Sequence, residues 1–182
     1  MAITHMRRKH TLHTKRVYLR AAQEGDLDDM FEMFKDEEVM KYWSCPPHIQ
    51  KSQTKKYLQN MLASPINGIL DFTIVLSNPH PRSRPKVIGK AGIWDPSNRE
   101  IGFLLHRSFW GQGFMTEALE ALLPYLWAQG LERIVADVDP RNESSIRLLK
   151  GFGFVETGRA ERTFETALGW CDSVYFALER GN

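Results

Sequence analysis

Glu100-Ile101-Gly102-Phe103-Leu104-Leu105 is a strand-like apolar run, and it leads directly into His106-Arg107-Ser108-Phe109-Trp110-Gly111-Gln112-Gly113-Phe114-Met115-Thr116-Glu117-Ala118. The second piece opens an amphipathic helix that the pattern carries to Gly130. Apolar residues fall at Phe114, Met115, Ala118, Leu119, Leu122, Leu123, Leu126 and Trp127, the paired spacing of a helix buried on one broad face. Strand, glycine turn and helix N-terminus together make a place for an anion. The first backbone N–H groups of a helix lack internal partners, and its dipole is positive there. Gly111 and Gly113 would let a phosphate approach that backbone closely. Taken alone, the turn suits a structural left-handed turn as well as a phosphate site. It is not a dinucleotide fingerprint, because Thr116 stands where the third glycine belongs, and it lacks the Gly-Lys-Ser/Thr of a P-loop.

Outward from this stretch, the pattern predicts strands over 17–20, 71–76, 87–94, 100–106, 133–138, 152–156 and 173–179. Asp26 is placed to cap a helix carrying Leu27, Met30, Phe31 and Phe34. A second helix is expected over 49–62, preceded by the aromatic, proline-broken segment Tyr42-Trp43-Ser44-Cys45-Pro46-Pro47. Residues 78–85, with three prolines, read as a loop joining antiparallel neighbours. Pro124 predicts a bend late in the long helix, and Gly130 its end. The expected fold class is α+β: an antiparallel N-terminal half joined to a β-α-β-α-β half in one mixed sheet.

The bulk numbers bound the function. A chain of 182 residues, 42% hydrophobic and 25% charged, has the composition of one globular domain with a real core. A formal net charge of +2 is too mild to argue for nucleic acid, and no nucleic-acid partner is expected. Basic residues gather at the start, at Arg7, Arg8, Lys9, Lys15 and Arg16, with no acid before Glu24. Residues 1–15 are therefore expected to be a basic, flexible tail, and 16–180 the domain. No apolar run reaches the length of a membrane span, so no membrane contact is expected. Cys45 and Cys171 lie far apart without metal-ligand spacing, which points to free thiols, no metal and a cytoplasmic location.

A second constellation follows the strand at 133–138. Asp139-Pro140-Arg141-Asn142-Glu143-Ser144-Ser145 leads into a short helix over 142–150 and then Gly151-Phe152-Gly153-Phe154. In isolation Asn142 reads best as a helix N-cap.

Together these spaced pieces resemble the GNAT superfamily of acetyl-CoA-dependent N-acetyltransferases, over residues 16 to 180. The likeness is nearest to the ribosomal-protein alanine acetyltransferase (RimJ/RimL-like) branch. It is carried by Trp43 with its proline pair, Glu100-Ile101-Gly102-Phe103, the turn at Trp110, Asn142-x-x-Ser145 and Gly153-Phe154. The family's pyrophosphate loop, Q/R-x-x-G-x-G/A, is met here by Trp110, Gly113 and Met115. Met115 departs from the small residue usual there, although a backbone N–H is the main physical requirement.

The resemblance implies acetyl-CoA as co-substrate, with no metal. Phe103, Leu104 and Leu105 would pair with the pantetheine arm. Trp110, Gly111, Gln112, Gly113, Phe114, Met115 and Thr116 would hold the pyrophosphate, with Asn142 and Ser145 reaching the arm from the other side. The implied reaction is direct attack by a primary amine, from a protein N-terminus or a small molecule, on the thioester. Glu100 and Glu165 are the candidate bases. Ser145 is the candidate proton donor, since Leu149 stands where many relatives have a tyrosine. Tyr42, Trp43 and Phe164 would wall the acceptor entrance. The alternative class is a non-catalytic CoA-binding regulatory domain of the same fold. The expected assembly is a monomer or homodimer.

Overall fold

The computed structural model describes residues 11–67, 70–77, 84–166 and 168–181. The strands are β1 (Leu12–His13), β2 (Val17–Arg20), β3 (Leu70–Leu76), β4 (Val87–Asp95), β5 (Glu100–Leu105), β6 (Arg133–Val138), β7 (Val155–Thr166) and β8 (Gly169–Glu179). They form one sheet in the order β1-β2-β3-β4-β5-β6-β8-β7. Every pairing is antiparallel except β5 with β6. The helices are α1 (Leu27–Phe34), α2 (Glu37–Met40), α3 (Lys51–Asn67), α4 (Phe114–Ala128) and α5 (Glu143–Gly151). This is the α+β, mixed-sheet architecture that the sequence predicts.

The two faces of the sheet carry different cores. On one face Ala118, Leu119, Leu122 and Leu126 of α4, all fully buried, pack on Ile74, Ile88, Ile101, Ile134 and Phe176. Each of the leucine, isoleucine and phenylalanine side chains contributes about 1.5–3 kcal/mol on burial. On the other face α1, α2 and α3 cover Val75, Val87 and Leu104. Strand alternation then settles the site. Ile134, Ala136 and Val138 of β6 face α4, so Val135 and Asp137 face the opposite side, as do Glu100 and Gly102 of β5.

β5 and β6 pair at a single position, Glu100 with Val135. Beyond it β5 remains paired to β4 and β6 to β8, so the two parallel strands diverge. The sheet is split from Glu100 onward.

Several local readings are corrected. Asp26 stands at the N-cap position of α1 but makes no side-chain cap; its oxygens accept from the Arg20 guanidinium at 2.7 and 2.8 Å and from the Gln23 N–H. The last two strands are far longer than their apolar ends suggest. β7 is an edge strand carrying Arg159, Glu161 and Arg162, charges that protect an edge and hide the strand pattern. Phe164 therefore lies in a β7–β8 hairpin, opposite Cys171, with Glu165 opposite Trp170. At the other end of the chain, Leu12–His13 pairs with β2 inside the expected tail, whose residues 1–10 lie outside the described residues. Most of the proline-rich loop, residues 78–83, lies outside them too.

Candidate active site

The turn after β5 is held open by two left-handed glycines, Gly111 at φ +69° and Gly113 at φ +78°. Gly113 is the N-cap of α4 and supplies no side-chain acceptor, so the first-turn N–H groups have no capping side chain. A Cβ at Gly111 would meet nothing within 4 Å. Trp110 pins the turn to the strand: its indole Nε1 donates to the Leu105 carbonyl at 2.7 Å. Met115 is helical, and its side chain is buried in the α4 core, so only its backbone is presented at the turn. Its departure from a small residue costs the cradle no space.

Arg16 braces the turn from outside. Its guanidinium donates to Gln112 O at 2.9 Å and to Glu117 Oε2 at 2.7 Å, and it lies 4.2 Å over the Phe114 ring. Burial alone would raise the Glu117 carboxyl, but donors from Thr14 and Arg16 outweigh it and hold it down to about 2.

A cavity of about 580 Å³ runs along this turn. It is lined by Phe103, Leu104, Leu105, Trp110, Gly111, Gly113, Phe114, Met115 and Thr116 on one side and by Asn142 and Ser145 on the other. Nearly all the predicted donor-site residues are thus brought together. Gln112 is the exception: its amide donates to Ser108 O at 2.8 Å, and it does not line the cavity. Asn142 is the N-cap of α5, its Oδ1 accepting from Ser145 N at 3.2 Å and Ser144 Oγ at 2.9 Å, and it also faces the cavity.

A second cavity, of about 550 Å³, opens on the other side of the split and shares Tyr42, Trp43, Phe103, Asn142 and Ser145 with the first. Glu100, Asp137, Trp94, Phe164 and Tyr175 line it. Burial first, and then the charge of Asp137, pushes the Glu100 carboxyl up to about 7, against the hydrogen bond from Trp94 Nε1 at 3.2 Å. Trp94 is the extra residue of a β-bulge between β4 and β5, which aims its indole over Gly102. A Cβ at Gly102 would lie 3.0 Å from Trp94 Cδ1. Leu149 is fully buried at the floor. Glu165 is exposed on the hairpin and lines neither cavity.

Asp137 and Trp94 were not singled out from the sequence, and Arg16 was read only as one of the basic residues near the start. Asp137 had a signal, since an acid inside the buried run Ile134-Val135-Ala136-Asp137-Val138 needs a reason. Trp94 had none, because its role comes from a bulge.

Residues 16–155 match the acetyltransferase (GNAT) domain family. The chain belongs to the GNAT family. It is 34% identical over 171 residues to the uncharacterized N-acetyltransferase p20 of Bacillus licheniformis, with 91% of this chain and 93% of that protein covered. A GNAT-family acetyltransferase of Bacillus anthracis has the same fold, with a TM-score of 0.80 at 21% identity over 95% of this chain and 100% of the other. RimL, a ribosomal L7/L12 α-N-protein acetyltransferase solved with coenzyme A, gives 0.80 at 20% identity over 93% and 98%. This GNAT chain is therefore an acetyltransferase with the sheet split of its fold intact. Among the described residues, no helix is long and apolar enough to cross a membrane.

Proposed function

We propose that this GNAT chain transfers the acetyl group of acetyl-CoA to a primary amine by direct attack within a ternary complex. The observation that carries the reading is the meeting of two cavities at Phe103, Asn142 and Ser145, with an anion-suited turn on one side and Glu100 on the other. The donor cradle fits coenzyme A physically. Uncapped N–H groups and a Cβ-free Gly111 suit a pyrophosphate, and the diverging edge of β5 suits the amides of an extended arm. The thioester supplies an electrophilic carbonyl at the split.

The chain's own residues supply the rest. An acceptor amine must be neutral to attack. Glu100, with its carboxyl near 7, is matched to take the proton. Glu100 takes this role rather than Glu165, because Glu100 lines the second cavity and Glu165 lines neither of the two. As the nitrogen–carbon bond forms, the carbon–sulfur bond breaks, and the proton that the nitrogen sheds passes through the Ser145 hydroxyl or water to the thiolate. Tyr42, Trp43 and Phe164 wall the acceptor side. The likeness to the RimJ/RimL-like branch is one of fold, so a protein N-terminus and a small amine both stay within this reading.

Thioester consumption with a panel of amines and N-terminal peptides tests it. Turnover that falls in Glu100→Gln but not in Glu165→Gln is expected. A non-catalytic CoA-binding domain would instead be stabilised by acetyl-CoA and acetylate nothing. Absence of any thermal shift with saturating acetyl-CoA would exclude both.

A further inference from the structure

The acceptor cavity has a one-signed lining. Asp95, Glu100, Asp137 and Asp139 face it, and among the described residues no Lys, Arg or His lines it. Two of these carboxylates are already satisfied. Asp139 is paired with Arg141, and Asp95 accepts from Ser97 and Asn98. Glu100 and Asp137 are left without a cationic partner, facing the same side of the sheet across the split.

Asp137 is the less explained of the two. Its Oδ1 is buried and has no hydrogen-bond partner. Burial raises its carboxyl despite a hydrogen bond from Ser173. β6 is otherwise apolar here, and an alanine or valine would pack as well for stability alone. The cavity is also lined by the rings of Trp43, Trp94 and Tyr175, and aromatic faces attract ammonium groups. A cation seated there would answer the like-charge crowding of Glu100 and Asp137 and the aromatic lining together.

We propose that the acceptor is a small amine with a second positive charge, a diamine or polyamine, and that Asp137 receives the second ammonium group while Glu100 faces the reacting nitrogen. The proposal rests on the acetyltransferase reading above and narrows its acceptor. A neutral or acidic peptide N-terminus would leave Asp137 without a counter-ion. A diamine enters with both nitrogens protonated, loses one proton to Glu100 and keeps the other charge on Asp137. The product carries one fewer positive charge, which weakens its hold and favours release.

Calorimetric titration separates charge from size. Diaminobutane with an amine at each end, butylamine and a neutral dipeptide are titrated into the full chain, with and without CoA. The diamine is expected to bind at least about tenfold more tightly than butylamine, the effect of one additional charge-assisted contact. In Asp137→Asn the diamine-to-monoamine ratio should fall to near one, while the acetyl-CoA thermal shift stays that of the wild type and reports an intact fold. The wild-type comparison needs no variant. Equal affinity for diamine and monoamine, no diamine binding, or an equal loss of both in Asp137→Asn would overturn the inference. Absence of an acetyl-CoA thermal shift would instead overturn the donor reading on which it rests.

Discussion

Trp94 and Glu100 are joined across the bulge between β4 and β5, the indole Nε1 donating to Glu100 Oε1 at 3.2 Å. This bond favours the charged carboxylate, while burial and Asp137 oppose it. Because a base acts when deprotonated, kcat/KM should rise with pH through about 7. Trp94→Phe removes the donor and should move that inflection upward. Asp137→Asn removes the neighbouring charge and should move it downward. Glu100→Gln should lower kcat by about 10²–10⁴-fold with acetyl-CoA affinity retained. A pH–rate series on the four proteins checks all of these.

Gly113→Ala tests the cradle. The new Cβ would meet only Arg16 Nη2, at 3.5 Å, so space is not the obstacle. Its φ of +78° is, at about 1–2 kcal/mol for a residue with a side chain. The expected outcome is a folded protein whose stabilisation by acetyl-CoA is clearly smaller than that of the wild type, read by thermal shift across ligand concentrations.

Glu117 ties the first turn of α4 to the segment before β2. Oε1 accepts from the Thr14 hydroxyl at 2.5 Å and from Arg16 N at 2.6 Å. Its folded pKa, about 2, lies below the ordinary 4.5. The stability it adds is therefore fully present above about 4.5 and lost as pH falls toward 2. Glu117→Gln should lower the melting temperature by about 3–6 °C at neutral pH. The gap between variant and wild type should close as the pH is taken down through that window.

Lys90 is wholly buried, with Nζ 2.8 Å from both Asp71 Oδ2 and Tyr57 Oη and 5.4 Å from the Trp43 ring. Burial works against its charge, yet Asp71 and Tyr57 keep its pKa above the ordinary value. Lys90→Met should destabilise the fold by about 3–5 kcal/mol, because it strands Asp71 as a buried unpaired carboxylate. Lys90→Met with Asp71→Leu should recover most of that loss. Denaturant titrations of both variants check the pair.

What was legible in the sequence was local. The α4 pattern, the Gly111–Gly113 turn and the N-cap at Asn142 depend on residues within a turn or two of one another, and all three stand as read. The edge strand β7 was not legible, since its outward face is charged and its inward residues are interrupted by bulges after Glu156 and Ala160. Phe164 was placed at the acceptor wall on likeness alone, and it is the hairpin that carries it to the second cavity.

By itself, then, the sequence determined the order of elements, the buried face of α4 and the anion-suited turn, because helix and turn chemistry are written in short-range spacing. Only the tertiary structure decided that β5 and β6 part after Glu100, that Trp94 bulges onto Gly102 and that Asp137 faces Glu100. Those relations are set by register between strands, across the β4–β5 hairpin for Trp94 and between strands well separated in the chain for Glu100 and Asp137. A shift of one residue in either strand would turn Glu100 or Asp137 toward α4 and remove the site.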